Sequence, residues 1–180
     1  VARMVLDEQA EIGMATESLA DYPDLVTLPC YEWEHVLVVP PSHPLATKER
    51  IGLDDLAIEP LITYHPSFTG RNKIDAAFAA RQLHPRVVLE AIDSDVIKTY
   101  VRLGLGVGIV AEMAMREDPG VDLVARPLGH LFGQSVARVA FKRGAYLRNF
   151  VYKFAETLSD RLSRDLIIRA MQGEPSDYSL

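Results

Sequence analysis

Residues 67–71, with the sequence Ser-Phe-Thr-Gly-Arg, are the side chains best suited to hold a ligand. They lie between an apolar run at residues 61–64 and an alanine-rich helical pattern at residues 74–81. The first turn of a helix presents unpaired backbone N–H groups and the positive end of the helix dipole, so it can bind an anion. Taken alone, however, the segment fits an ordinary helix cap with a turn glycine better.

The hydroxyl groups in this segment have two possible uses. Ser67 and Thr69 can cap the helix or donate to a ligand, while Gly70 allows a close approach of the backbone. A third hydroxyl, that of Thr16, follows the short apolar run at residues 12–15, which we expect to be a buried strand. Because ligands lie at the carboxyl ends of strands in open α/β sheets, Thr16 is a candidate for the other half of a pocket. A loop threonine bonded to its own backbone is an equally good interpretation.

The sequence contains no recognisable set of catalytic or metal-binding residues. Its five histidines lack metal-ligand spacing, and the common metalloprotease, phosphate-loop and nucleophile-elbow motifs are missing. The glycines in residues 104–108 follow a helical pattern and precede a strand, which reverses the order of a dinucleotide-binding motif. The lone Cys30 has no partner motif and is expected to be a small apolar side chain. These patterns favour a binding module without cofactor or metal over an enzyme.

Composition and charge narrow the class of protein further. The 180 residues are 48% hydrophobic and 24% charged, which is ordinary for a globular protein with one core or two small lobes. The net charge of −6 and the scattered Lys and Arg residues argue against nucleic-acid binding by this chain. The sequence has no signal-like stretch and no apolar run of membrane-spanning length, and its single cysteine fits a reducing compartment, so a cytoplasmic location is expected.

The order of the predicted elements indicates an α/β fold. Strands are expected at residues 12–15, 25–28, 34–39, 61–64, 86–92, 107–110, 123–126 and 136–142. Helices are expected at residues 1–9, 53–58, 74–81, 111–115 and 146–172, together with one that begins after Asp93. Asp93 and Asp95 are better explained as caps of that helix than as site residues. Ser159 and Ser163 are candidate break points in the last helix.

Several segments resemble one protein family. Residues 37–45 (LVVPPSHPL) and 95–110 (DVIKTYVRLGLGVGIV) are similar to elements of the LysR-type transcriptional regulators. Residues 15–17 (Ala-Thr-Glu), 28–31 (Leu-Pro-Cys-Tyr) and 68–71 (Phe-Thr-Gly-Arg) resemble the CysB/Cbl branch of that family, which regulates sulfur assimilation. The resemblance covers nearly the whole chain.

The resemblance implies an effector-binding domain with an α/β fold of two Rossmann-like lobes joined by two crossover strands, as in periplasmic binding proteins. Lobe I would comprise residues 1–34 and 134–180, and lobe II residues 35–133, with crossovers near residues 28–36 and 134–141. The first strand of lobe I and the N-terminal helix-turn-helix DNA-binding domain of the family are expected to be missing from this chain.

The resemblance also implies a small-molecule effector bound in the cleft between the lobes. Members of this branch bind sulfate-like anions or an acetylated serine, so the expected effectors are sulfate, thiosulfate, N-acetylserine and O-acetylserine. Thr16 and Thr69 match two threonines that line the family's pocket. The remaining expected effector-binding residues are neighbours of Thr69, namely Ser67, Phe68, Gly70 and Arg71.

The implied partners follow from the same resemblance. A homo-oligomer is expected, a dimer for this chain and a tetramer for the full-length protein, with promoter DNA and RNA polymerase contacted only through the full-length protein. No membrane contact is expected. The alternative is a solute-binding protein that delivers a sulfate-like anion to a transporter, since the folds are similar, although that class requires a secretory signal.

Overall fold

The computed structural model describes residues 1–116 and 122–174. The chain forms two compact units, unit 1 from Val1–Glu32 with Ser135–Leu180, and unit 2 from Trp33–Gln134. The assignment of these units to the two lobes of an effector-binding domain, with the boundaries given above, remains a prediction.

Short strands and helices alternate along both units. The strands are β1 (Gly13–Ala15), β2 (Leu25–Val39), β3 (Pro60–Tyr64), β4 (Arg86–Ala91), β5 (Val107–Ala111), β6 (Val124–Pro127) and β7 (Gln134–Lys142). The α-helices are α1 (Ala2–Leu6), α2 (Pro44–Thr47), α3 (Leu53–Ala57), α4 (Thr69–Ala80), α5 (Ser94–Arg102), α6 (Met113–Arg116), α7 (Gly129–Phe132), α8 (Asn149–Leu158) and α9 (Arg164–Met171). A 3₁₀ helix covers Glu17–Asp21. None of the helices in the described part of the chain is long and apolar enough to cross a membrane.

Unit 1 is built on antiparallel strands covered by the C-terminal helices. β1 pairs with β7, and β7 adjoins β2. The helices α8 and α9 bury small and branched residues, among them Val151 and Ile167, in a core with Phe141 of β7. The helix predicted over residues 146–172 is therefore two helices. Ser159 is the C-cap of the first, and the hydroxyl of Ser163 caps the second.

Unit 2 is a mixed sheet with helices on both faces. β3 lies between β4 and β5, parallel to both, and β2 pairs antiparallel with β5 and β6. Successive strand residues alternate between the faces, since Leu61 packs in the core that contains Phe78 of α4, and Ile62 packs in the core that contains Ile97 of α5. This doubly wound arrangement places the first turns of α4 and α5 beyond the carboxyl ends of β3 and β4.

The strand β2 differs from the sequence prediction of two separate strands at residues 25–28 and 34–39. It runs unbroken through Pro29 for 15 residues. A proline is tolerated in a strand where its missing N–H is not needed, and the pairing of β2 with β5 runs from His35 to Val38, beyond Pro29. Two four-residue helices, α2 and α7, were also not predicted, because so short a helix shows no apolar periodicity.

Candidate ligand-binding site

The carboxyl ends of three strands in unit 2 are joined by the side chain of Tyr64, the last residue of β3. Its hydroxyl lies 2.7 Å from the hydroxyl of Ser94 in α5 and accepts a 3.1 Å hydrogen bond from the backbone N–H of Ala111 in β5. The backbone N–H of His65 donates to the carbonyl oxygen of Ala91, at the end of β4, at 2.9 Å. The edge where an α/β sheet binds ligands is therefore held together by specific polar contacts.

Residues 67–71 form the entry to α4 at this edge and include its first three residues. The N-cap of α4 is Phe68, which provides no capping side chain, and Thr69 is the first helical residue. The interpretation of Ser67 or Thr69 as the helix cap is therefore wrong. The hydroxyl of Ser67 instead lies 3.0 Å from Nδ1 of His65, a nitrogen that also accepts from the backbone N–H of Ser67 at 3.2 Å. Ser67 and Phe68 are exposed, and Thr69 is half-buried.

Gly70 brings the first turn of α4 against an aromatic pair in β2. A Cβ atom at this position would lie 3.0 Å from Nε2 of His35 and 3.2 Å from Cη2 of Trp33. His35 is fully buried, and its ring packs edge-on against that of Trp33 with centroids 5.0 Å apart. The sequence predicted that the backbone at Gly70 comes close to another group. Within unit 2, that group is the pair of rings of His35 and Trp33.

Arg71 is a buried cation with carboxylate partners from two elements. Its Nε donates to Asp75 at 2.7 Å, and its Nη1 donates to Glu90 at 2.9 Å and to the carbonyl oxygen of Tyr64 at 2.8 Å. Burial lowers the pKa of Arg71, but the hydrogen bonds to Asp75 and Glu90 raise it further, so the net shift is upward. The guanidinium is therefore charged, and it fastens α4 to β3 and β4.

Thr16 lies in unit 1, immediately after β1, at the strand end where the sequence placed it. It is half-buried and extended, and it is the N-cap residue of the 3₁₀ helix. Its carbonyl oxygen accepts from the backbone N–H of Leu19 at 3.1 Å. The structure thus supports the local position of Thr16, while its role in binding stays a prediction.

A cavity at the start of α5 was not anticipated from the sequence. It has a volume of about 660 Å³, and its lining residues are Ile92, Asp93, Ser94, Asp95, Lys98, Met113 and Ala114. Asp93 caps the helix as predicted, since its carboxylate accepts from the backbone N–H of Asp95 at 2.6 Å. Lys98 of α5 is buried, and its spacing of three residues from Asp95 is a sequence signal for the ion pair between the two side chains.

Within residues 1–116 and 122–174, no group of three or more His, Cys, Asp or Glu side chains is arranged to hold a metal ion. The thiol of Cys30 is buried in unit 1, and burial raises its pKa, which makes the reactive thiolate less accessible. The polar groups of the candidate site are thus hydroxyls, backbone N–H groups and paired charges. Such groups suit the binding of a small polar ligand rather than covalent chemistry.

Residues 1–163 match the family model described as the LysR substrate binding domain. The chain is 54% identical over 180 residues to the HTH-type transcriptional regulator CysB of Burkholderia cenocepacia, with all of this chain and 58% of that protein aligned. It is 47% identical over 163 residues to the HTH-type transcriptional regulator SsuR of the same organism, with 91% of this chain and 53% of that protein aligned. The chain thus spans a little over half the length of these relatives.

The fold is similar to the crystal structure of the cofactor-binding domain of the Cbl transcriptional regulator. The TM-score is 0.85 and the sequence identity 42%, and the match covers 96% of this chain and 76% of that one. The predicted α/β class, with its two-lobe architecture of the periplasmic-binding-protein kind, is confirmed by this match.

Proposed function

The chain belongs to the LysR substrate-binding-domain family, and we propose that it is the effector-sensing domain of a transcriptional regulator of sulfur assimilation. Its similarity to CysB, SsuR and the Cbl cofactor-binding domain supports this proposal. Members of the family are transcriptional regulators and not enzymes, in agreement with the binding module predicted from the motifs. The relatives named above are regulators, which favours this function over that of a solute-binding protein with a similar fold.

The observation that carries the binding proposal is the position of the 67–71 turn at the carboxyl end of β3. This turn opens a helix of 12 residues, so the positive end of the helix dipole lies beside the hydroxyls of Ser67 and Thr69. We assign contact with the effector to Ser67, Phe68 and Thr69. Gly70 and Arg71 support the turn from within unit 2. Thr16 is a further proposed contact, on the strength of the family resemblance.

The proposed effector is a small anion or an acetylated serine, with sulfate, thiosulfate, N-acetylserine and O-acetylserine as the candidates. Sulfate is fully ionised and can be held by neutral hydroxyl and N–H donors if these are already oriented towards it. Each hydrogen bond to a charged ligand contributes about 1.5–3 kcal/mol. The effector can change the state of the regulator only through a difference in its affinity for two conformations.

The remaining partners are proposed for the full-length protein. Promoter DNA and RNA polymerase would be contacted through parts of the regulator outside this chain, and the chain itself carries a net charge of −6. Homo-oligomers, a dimer for this domain and a tetramer for the whole protein, are proposed because the family assembles in this way.

Calorimetric titration of a Thr69→Ala variant tests the effector site. The variant lacks one hydroxyl donor, so its affinity for the bound effector should fall by about tenfold or more. Thr69→Ser should retain most of the affinity, because the hydroxyl remains. Thr157→Ala is a matched control, since Thr157 lies on α8 in unit 1, where its hydroxyl donates locally to the carbonyl oxygen of Phe154 at 2.6 Å.

Titrations should use sulfate, thiosulfate, N-acetylserine and O-acetylserine in turn, and thermal unfolding should show that all variants fold alike. An unchanged affinity of Thr69→Ala for every ligand that the original chain binds would contradict the assignment of the 67–71 turn. If the full-length regulator, which includes the first strand of lobe I, bound none of the four ligands, the proposed function itself would be wrong.

A further inference from the structure

Tyr64, the last residue of β3, connects the two faces of the sheet in unit 2. Its side chain packs against the core that contains Ile97 of α5. The 67–71 turn, which follows Tyr64 in the chain, leads into α4 on the other face, where Phe78 lies in the second core. Contacts between Tyr64 and the turn therefore link the α4 side of unit 2 to the α5 side.

The 67–71 turn contacts Tyr64 through two of its residues. The ring of Phe68 packs against the ring of Tyr64, with centroids 5.8 Å apart and an angle of 34° between the planes. Nη1 of Arg71 donates to the carbonyl oxygen of Tyr64 at 2.8 Å. Phe68 is 40% exposed, so part of its surface is open to a ligand while the tyrosine ring supports it from behind. The position of the Phe68 ring thus depends on that of Tyr64.

The hydroxyl of Tyr64 is anchored in two other elements. It lies 2.7 Å from the hydroxyl of Ser94, at the start of α5, and accepts from the backbone N–H of Ala111, at the end of β5, at 3.1 Å. The ring cannot tilt without lengthening at least one of these hydrogen bonds, and such bonds weaken outside a narrow range of distance and angle. The position of the Tyr64 ring is therefore set by α5 and β5.

We propose that Tyr64 is a positioning residue for the effector site. It holds the ring of Phe68 in place and couples the 67–71 turn to the start of α5 and the end of β5. The inference deepens the proposed function and rests on it, because it requires Phe68 and Thr69 to contact the effector. Coupling of this kind is reciprocal. If the hydrogen bonds of the Tyr64 hydroxyl favour effector binding, then effector binding must strengthen those hydrogen bonds.

Titration of a Tyr64→Phe variant of the full-length regulator tests the first direction of this coupling. Calorimetry is carried out with sulfate, thiosulfate, N-acetylserine and O-acetylserine. For those that bind, the affinity should be about two- to tenfold lower than in the original regulator, the equivalent of one net hydrogen bond. Ser94→Ala should lower the affinity less, because the hydrogen bond from Ala111 remains. Thermal unfolding shows whether each variant folds.

Tyr152→Phe is the matched control for Tyr64→Phe. Tyr152 is also a half-buried tyrosine, but it lies on α8 in unit 1. Its replacement removes a hydroxyl and keeps the ring, so the affinity for the four candidate ligands should not change. An equal fall in affinity for Tyr152→Phe and Tyr64→Phe would overturn the inference, because it would show that the effect is not specific to the position behind the turn.

A double-mutant cycle with Phe68→Leu separates positioning from a general loss of structure. Leucine remains apolar but has no ring for Tyr64 to support. The fall in affinity caused by Tyr64→Phe should therefore be smaller in the Phe68→Leu background than in the original regulator. An equal fall in both backgrounds would overturn the inference that Tyr64 acts through Phe68.

Hydrogen exchange at the amide of Ala111 tests the second direction of the coupling. Saturation with a bound candidate ligand should slow this exchange by about two- to tenfold, measured relative to the amides of β6, which report any general stabilisation of unit 2. In Tyr64→Phe the same ligand should cause no such difference, since the acceptor is gone. Mass spectrometry with electron-transfer dissociation resolves single amides. The same ligand-induced change in both proteins would overturn the inference.

The outcomes distinguish this inference from the proposed function. If Thr69→Ala weakens binding and Tyr64→Phe does not, the 67–71 turn is retained and the role of Tyr64 is refuted. If Tyr64→Phe fails to fold, Ser94→Ala decides, since an unchanged affinity overturns the inference and a fall that shrinks in the Phe68→Leu background supports it. If the full-length regulator binds none of the four ligands, the proposed function and this inference are both wrong.

Discussion

Replacement of Gly70 by alanine tests how tightly the proposed effector turn is packed. The new Cβ atom would lie 3.0 Å from Nε2 of His35 and 3.2 Å from Cη2 of Trp33. Carbon atoms in favourable contact are about 3.5–4.0 Å apart. The His35 ring has little room to move, because it is fully buried and also packs edge-on against Phe132 with centroids 5.7 Å apart. The first turn of α4 would therefore have to shift outward.

The expected magnitude is a balance of two effects. Overpacking of a well-packed interior costs about 1–3 kcal/mol. The lower backbone entropy of alanine in the unfolded chain offsets about 0.4–1 kcal/mol of this cost. The free energy of unfolding of Gly70→Ala should thus fall by about 1 kcal/mol, which lowers the Tm by about 2–4 °C for a chain of this size.

A double-mutant cycle with Trp33→Phe identifies the contact responsible. Phenylalanine lacks the Cη2 atom, so Gly70→Ala should cost less in the Trp33→Phe background than in the original chain. Trp33 is the only tryptophan of the chain, so urea unfolding of all four proteins is best followed by circular dichroism. An equal cost in both backgrounds would assign the strain to His35 rather than to Trp33, and a Gly70→Ala variant as stable as the original chain would refute the packing argument.

Two further changes test unit 2 away from the turn. A Cβ atom on Gly106 would lie 2.2 Å from the carbonyl oxygen of Pro60. Gly106→Ala should therefore lower the free energy of unfolding, measured in urea, by about 3 kcal/mol. A loss below about 1 kcal/mol would contradict this prediction and show that the backbone there shifts readily. The pKa of Asp55 is lowered, chiefly by the hydrogen bond from Lys48 and then by that from the backbone of Gly52. Its carboxylate therefore stabilises the fold above the unfolded-state pKa of about 4, and this contribution is lost as the pH falls through the lower folded-state pKa. Stability measured from about pH 5 to about pH 2 should consequently fall less in Asp55→Asn than in the original chain, and parallel curves would contradict this reasoning.

Elements with strong local signals could be predicted from the sequence. Asp93 is followed by a regular apolar pattern, and the structure confirms it as the cap of α5. Ser163 similarly marks the start of α9. Pro29, in contrast, predicts the end of a strand, because proline lacks the N–H that a neighbouring strand would accept from. This loss is unfavourable only if a neighbouring strand needs that donor. Sequence alone does not show which strand lies beside it, so the continuity of β2 could not be predicted.

In the candidate site, too, some residues have a local sequence signal and others depend on contacts with distant parts of the chain. Thr16 and Thr69 are candidates from the sequence because each stands at the boundary of one predicted element and matches a family motif. The role of Gly70 depends on Trp33 and His35, which precede it by more than 30 residues, and no local pattern reports that contact. The surroundings of Lys98 could not be predicted for a related reason, since Met113 and Ala114, from another part of the chain, line the same cavity.

Arg71 shows how partners outside a motif change the interpretation of a motif residue. Next to Thr69, an arginine suggests a direct charge for an anionic effector. In the structure, Asp75 and Glu90 lie within 2.9 Å of its guanidinium, so its charge is already balanced inside unit 2. In the proposed effector site, the attraction for an anion comes mainly from the helix dipole, backbone N–H groups and hydroxyls, which act over a short range. A site of this kind selects its ligand by shape and hydrogen-bond geometry more than by net charge.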